Sequence, residues 1–191
     1  MKRIMSSVGL IFFGLTVLPM NVQSAEYKVD TGHTYVTFNV MHLGIAPNYG
    51  RFNVTTGVLN FDVAGDQNTI KIEIDAASVD TANRKRDKHL RADDFFDVKQ
   101  FPKITFVSTA WKKLSDTTYS VTGDLVFHGV KTSKTVTVTK TGEGPDPWGN
   151  ERIGFTTSFQ IDRFLHGVNG SRKTIGQFVN VMISLEAKKT K

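Results

Sequence analysis

Apolar and polar residues alternate with a period of two along most of the chain, which is the pattern of strands with one buried face. Thr34, Val36, Phe38, Val40 and His42 share one face. Phe52, Val54, Leu59 and Phe61 make a second set, with a bulge expected at Gly57, and Ile70, Ile72, Ile74 and Ala76 a third. Ile104 with Phe106, then Val121, Leu125 and Phe127, then Val136 with Val138 follow. Phe155, Thr157, Phe159 and Ile161, and finally Val179, Val181, Ile183 and Leu185, close the series. The opposite faces carry Thr, Lys, Asn, Glu, Asp and Gln. Turn residues separate the runs at Gly65-Asp66, Ser115-Asp116, Gly144 to Gly149 and Gly167 to Gly170. The charged stretch from Asp80 to Asp97 breaks the pattern, and Arg84 to Phe96 reads as a short helix and loop between the third and fourth strands.

The series predicts an all-β domain of eight antiparallel strands. Such strands bury their apolar faces either as a two-sheet sandwich or as a closed barrel, and closure removes exposed strand edges. A barrel of this size is filled by side chains or holds one small ligand, and periodicity alone leaves both open. The first run, Thr34 to His42, would span roughly 30 Å at about 3.3 Å per residue. An outer-membrane barrel is disfavoured, because the outward faces are polar rather than an apolar band with aromatic girdles.

The N-terminus does not fit the strand pattern. Lys2 and Arg3 precede an apolar run from Val8 to Leu18, and VQSA follows. This is the layout of a secretory signal peptide, with cleavage after Ser24, and the run is shorter than the roughly 20 residues of a membrane span. Residues 25–191 then form one domain, expected in the periplasm. Losing Lys2 and Arg3 lowers the formal charge from +6 to about +4, and the remaining cations are scattered, so nucleic acid is not implied. The chain has no Cys, which removes disulfides, thiolate metal sites and cysteine nucleophiles together. An apolar fraction of 39%, with 14 Phe in the full chain, can supply the core.

Four segments resemble the YceI-like family of exported lipid-binding proteins. They are DTGHTYVTFNVMHLG (Asp30 to Gly44), the RDKHLRADDFFD block inside Ser78 to Ser108, GDLVFHGVKTSKTVTV (Gly123 to Val138), and DPWGNERIGF with FQIDRFLHGV (Asp146 to Val168). Gly167 to Gly176 departs from the family pattern. The resemblance implies a lipocalin-like eight-stranded barrel, often dimeric. It also implies a polyisoprenoid, an isoprenoid quinone or another long-chain amphiphile as ligand, with no enzymatic activity and no other cofactor.

The residues expected to line such a ligand are Val36, Phe38, Val40, Phe52, Ile72, Phe106, Phe127, Phe155, Phe159 and Val181, with His42 and Arg51 as polar contacts near the mouth. Burying on the order of 500 Å² of tail at about 25 cal/mol per Å² would yield roughly 12 kcal/mol. Association costs of about 4–15 kcal/mol oppose this, so a long tail is required. Arg86, Asp87, Arg91 and Asp94 are expected to pair along the helix at three- and four-residue spacing. The five histidines lack metal-ligand spacing, and no nucleophile elbow or phosphate-binding glycine loop occurs. Two alternatives stay open: an enzyme acting on such a lipid with His42 as acid–base, and a filled barrel that binds a protein partner.

Overall fold

The computed structural model describes residues 24–63 and 67–190. Residues 1–23 of the expected leader and the Gly65-Asp66 turn lie outside the described residues. Eleven strands form one sheet: β1 (Ala25–Val29), β2 (Tyr35–His42), β3 (Ala46–Phe52), β4 (Thr55–Phe61), β5 (Thr69–Asp75), β6 (Val79–Asp80), β7 (Lys103–Lys113), β8 (Thr118–Phe127), β9 (Val130–Pro145), β10 (Glu151–Asp162) and β11 (Ile175–Lys189). One short helix, α1 (Arg84–Leu90), follows β6.

The sheet is a closed antiparallel barrel of eight staves. The stave count falls below the strand count because β1 and β2 are two lengths of one stave, as are β3 and β4. β1 pairs with β4 and β11, while β2 pairs with β3 and β11. Asp30 breaks the first stave by capping a 3-10 turn over Thr31–His33. The other staves run β5, β7, β8, β9, β10 and β11 in order. Pairing of β1 with β11 closes the ring, so the sheet does not end in an open edge there.

The alternation read from sequence sets the faces. Along β8 the inward positions Tyr119, Val121, Leu125 and Phe127 are buried, and the residues between them are half-exposed. Two departures have local causes. Val54 is exposed, because the chain kinks between β3 and β4 and resets the alternation at Thr55. Gly57 is not a bulge: its register against β5 is continuous. It is glycine because a Cβ there would meet the Lys71 carbonyl oxygen at 2.4 Å. The His128–Gly129 turn carries positive φ at both positions, the two-residue hairpin geometry that suits twisted strands, and Leu43–Gly44 in the three-residue β2–β3 loop do so too.

The two ends of the barrel differ. At one, Phe61 packs edge-on against Trp111, Tyr119 and Phe155, with centroids 6.3, 5.5 and 5.2 Å away. Leu59, Tyr119 and Ala187 have no exposure there, and Ile153 has 1%. This end is solid. At the other, β3 pairs with the two-residue β6 rather than with β5, and residues 76–102 with α1 run between β5 and β7. Three groups hold α1 and the residue after it to the segment around β6. Asp87 accepts from the Thr81 N–H and hydroxyl, Arg86 donates to the Thr81 hydroxyl and carbonyl, and Arg91 donates to the Ala77 and Val79 carbonyls. Asp94 pairs with His89. The expected pairing among Arg86, Asp87, Arg91 and Asp94 is therefore replaced by bonds to the backbone and side chains they dock against. The helix ends at Leu90 and a loop carries the chain on past Phe96, the short helix and loop that the sequence predicts.

Candidate functional site

The lumen above the aromatic plug encloses a cavity of about 530 Å³. That lies within the roughly 300–1,000 Å³ typical of small-molecule sites. Its wall is mostly Val, Ile, Leu and Phe drawn from every stave. Val36, Phe38, Val40, Phe52, Ile72, Phe106, Phe127, Phe155, Phe159 and Val181 all line it, and His42 stands at its rim. Arg51 stands apart. Its guanidinium turns to the outer face and pairs with Asp80 at 3.2 Å, because position 51 points away from the lumen in β3. It is not part of the wall.

Several wall residues are half-exposed rather than buried, among them Phe38, Val40, Phe159 and Val179. Exposure of inward apolar side chains is the sign of an interior that side chains do not fill. The opening is bounded by Asn48 and Tyr49 of β3, Arg86 and His89 of α1, and Ser171 and Thr174 of the β10–β11 loop. Sequence reasoning missed most of these rim residues. They lie outside the period-two runs, and only the fold brings them together.

Arg163 organises the β10–β11 loop. It is 3% exposed and donates to the carbonyls of Val168, Gly170, Ile175 and Gly176. Burial, then the nearby Arg172 charge, pushes its pKa down. His166, also buried, takes the Phe127 carbonyl at 3.3 Å, and its pKa is lowered chiefly by desolvation. A second seam lies between β9 and β10, whose ladder stops at Val138–Thr157. Beyond it, side chains replace the backbone bonds: Thr157 Oγ1 donates to the Thr137 carbonyl and Lys134 Nζ to the Gln160 carbonyl, both at 2.7 Å. Lys134 also sits 5.6 Å from the Phe159 ring centre, on the lumen side.

Trp111 and Thr55 line the floor, and among the described residues their buried Nε1 and Oγ1 have no hydrogen-bond partner; nor has Tyr119 OH in the plug. The outer wall beside the plug carries an ionic hub. Arg152 pairs with Asp30, Asp146 and Glu186, and Lys188 with Asp30. Burial opposes ionisation of Asp30 and Asp146, yet the hydrogen bonds they accept outweigh it and hold both carboxyls below the usual range. Asp30, His33 and Glu186 lie close enough to offer ligand atoms to one cation. Arg152 and Lys188 already donate to these carboxylates, so the group reads as an ion-pair network. Among the described residues no helix is long and apolar enough to cross a membrane.

Residues 27–187 match the YceI-like domain family. The chain is 38% identical over 173 residues to a UPF0312 protein of Pseudomonas fluorescens (strain SBW25), covering 89% of this chain and 90% of that protein. It is 36% identical over 186 residues to the protein YceI of Escherichia coli O17:K52:H18, covering 95% and 96%. Among solved structures it resembles Burkholderia cenocepacia BcnA, with a TM-score of 0.76 at 26% identity over 83% of this chain and 98% of that one. It shares a fold, at 17% identity and a TM-score of 0.67, with a polyisoprenoid binding domain from Saccharophagus degradans, over 88% of this chain and all (100%) of that one.

Proposed function

The chain belongs to the YceI-like domain family, and on that premise we propose that it is an exported, periplasmic carrier that holds the tail of a long-chain isoprenoid lipid in its barrel. One observation carries this reading: an apolar cavity of about 530 Å³, closed at one end by an aromatic plug and bounded at the other by exposed residues. Such a space suits a molecule with one long apolar end and one polar end. The apolar end leaves water, which is the favourable term. The polar end stays near the rim, so no polar group need be buried unpaired. The quinone and polyprenyl classes both meet this description, and the likeness to the polyisoprenoid binding domain, which is one of fold, agrees with it.

Trp111 on the floor reports on the cavity. Delipidated protein titrated with a long polyprenol is expected to give saturable change in Trp111 emission, and a short-chain prenol much weaker binding. No saturable change with any long-chain lipid contradicts the proposal. A catalytic reading would rest on the His89–Asp94 pair at 2.9 Å on the rim. Recovery of the bound lipid chemically unchanged after prolonged incubation favours carriage over catalysis.

A further inference from the structure

We infer that the open end of the barrel docks on the surface of an anionic lipid bilayer. This goes beyond the carrier reading, which concerns the lumen alone. Three elements surround the opening: the β2–β3 loop, the β10–β11 loop, and α1 with the residues after it. Backbone bonds tie them into one surface. The Leu43 N–H donates to the Thr174 carbonyl at 2.6 Å, and the Gly170 N–H to the Asp94 carbonyl at 2.7 Å. Apolar side chains stand out from this surface. Ile45 is 80% exposed, Leu165 70% and Leu43 53%. Single exposed apolar residues are ordinary, but these gather on the loops of one end of the molecule.

Unpaired cations surround them. Arg84, Lys85 and Lys88 are exposed on α1, and Arg172 and Lys173 on the β10–β11 loop. No carboxylate among the described residues forms an ion pair with any of the five. Asp87 of α1 is buried against Thr81, and Asp94 pairs with His89. Asp93, exposed on the following loop, offsets one charge of the five. The closed end is arranged differently. There Lys113 pairs with Asp116, Lys140 with Glu143 and Arg152 with Asp146, so charges cancel locally. Apolar tips set among unpaired cations suit a membrane interface, with the tips at the acyl boundary and the cations at anionic head groups. A second copy of the chain suits this surface poorly, because two such faces would bring like charges together. A fluid bilayer receives projecting tips without a preformed pocket, which a protein partner would have to supply. Docked in this way, the cavity opens onto lipid, and an apolar tail passes between bilayer and barrel without crossing water.

The test sediments the protein recovered after export with vesicles of phosphatidylglycerol and phosphatidylcholine in equal parts, and with vesicles of phosphatidylcholine alone. At low ionic strength, partitioning is expected to be at least about tenfold stronger onto the anionic vesicles and to weaken as salt is added. Ile45→Asp is expected to lower it about tenfold, and Lys85→Glu combined with Lys88→Glu by at least as much. The same charge change at the closed end, Lys112→Glu combined with Lys113→Glu, is expected to leave most of the binding in place. Brominated acyl chains are expected to quench an indole introduced by Ile45→Trp and to leave Trp148, on the β9–β10 turn of the closed end, unquenched. Equal binding to the two vesicle types overturns the proposal, as do equal losses from the two charge changes. Quenching of Trp148 puts the bilayer at the wrong end and overturns it as well. Binding to neither vesicle overturns it and leaves the surface to a protein partner. The polyprenol titration of Trp111 is a separate measurement, so docking and carriage can fail independently.

Discussion

The two halves of the barrel are built from the same alternation and the same residue types, yet one is a plug and the other a cavity. At the closed end, Phe61, Trp111, Tyr119 and Phe155 meet edge to face, and Leu59, Ile153 and Ala187 leave almost no surface exposed. At the open end, Phe38, Phe106 and Phe159 line the cavity, where β3 pairs with the two-residue β6 instead of continuing the β4–β5 ladder and the β9–β10 ladder stops at Val138–Thr157. Strand pairing, not composition, decides which half is hollow. Stability should therefore reside in the plug and binding in the cavity.

Truncation separates the halves most strongly. Phe61→Ala opens a void among three aromatic partners and is expected to cost about 3–5 kcal/mol in chemical denaturation. Phe159→Ala, on a half-exposed wall, is expected to cost about 1–2 kcal/mol. Equal costs would break the distinction. Enlargement inverts the comparison. Ile153→Phe overpacks the plug and should cost about 1–3 kcal/mol. Val179→Phe points into free space, should cost less than about 1 kcal/mol, and should weaken tail binding, which a lipid titration will show.

Acid separates the ends by pH. His166, at the open end, has its folded pKa lowered by burial, so the unfolded chain takes up the proton first. Its contribution is complete above the unfolded value of about 6.5 and is lost as pH falls from there through the folded value. Asp30 and Asp146, beside the closed end, have lowered folded values against an unfolded value of about 3.9. Their contribution persists to that pH and is lost only below it. Stability against pH should thus fall in two windows. His166→Gln should remove the upper one, and Asp30→Asn the lower. A single window unaffected by either substitution would contradict this. The smallest expected effect has the opposite sign. Tyr119→Phe deletes a buried hydroxyl that has no partner among the described residues and should be neutral or stabilising by up to about 1 kcal/mol, visible as an unchanged or raised Tm.

Much of this was legible in the sequence. Period-two runs placed eleven wall residues, from Val36 to Val181, on the inward face. β1 escaped because Ala25, Tyr27 and Val29 make too short a run, and it is held by pairing on both sides rather than by its own pattern. Val54 was misassigned because a kink resets alternation without any signal in composition. Arg51 was misplaced although its spacing from Phe52 put it on the other face; its partner, Asp80, is brought to it by β6. Arg86, Lys134 and Arg163 reach one lumen from a helix, a strand and a loop, a meeting that local periodicity does not encode. Whether the interior is hollow was not legible either, since Phe and Val line both halves.

Electron density from crystals of the protein loaded with a long polyprenyl lipid tests the central claim most directly. The account predicts continuous elongated density entering between His42 and Arg86, passing Phe38 and Phe159, and ending above Trp111. A lumen closed by Phe38, Phe106, Phe127 and Phe159 turning inward on one another, with the lipid absent or bound on the outer wall, would contradict it.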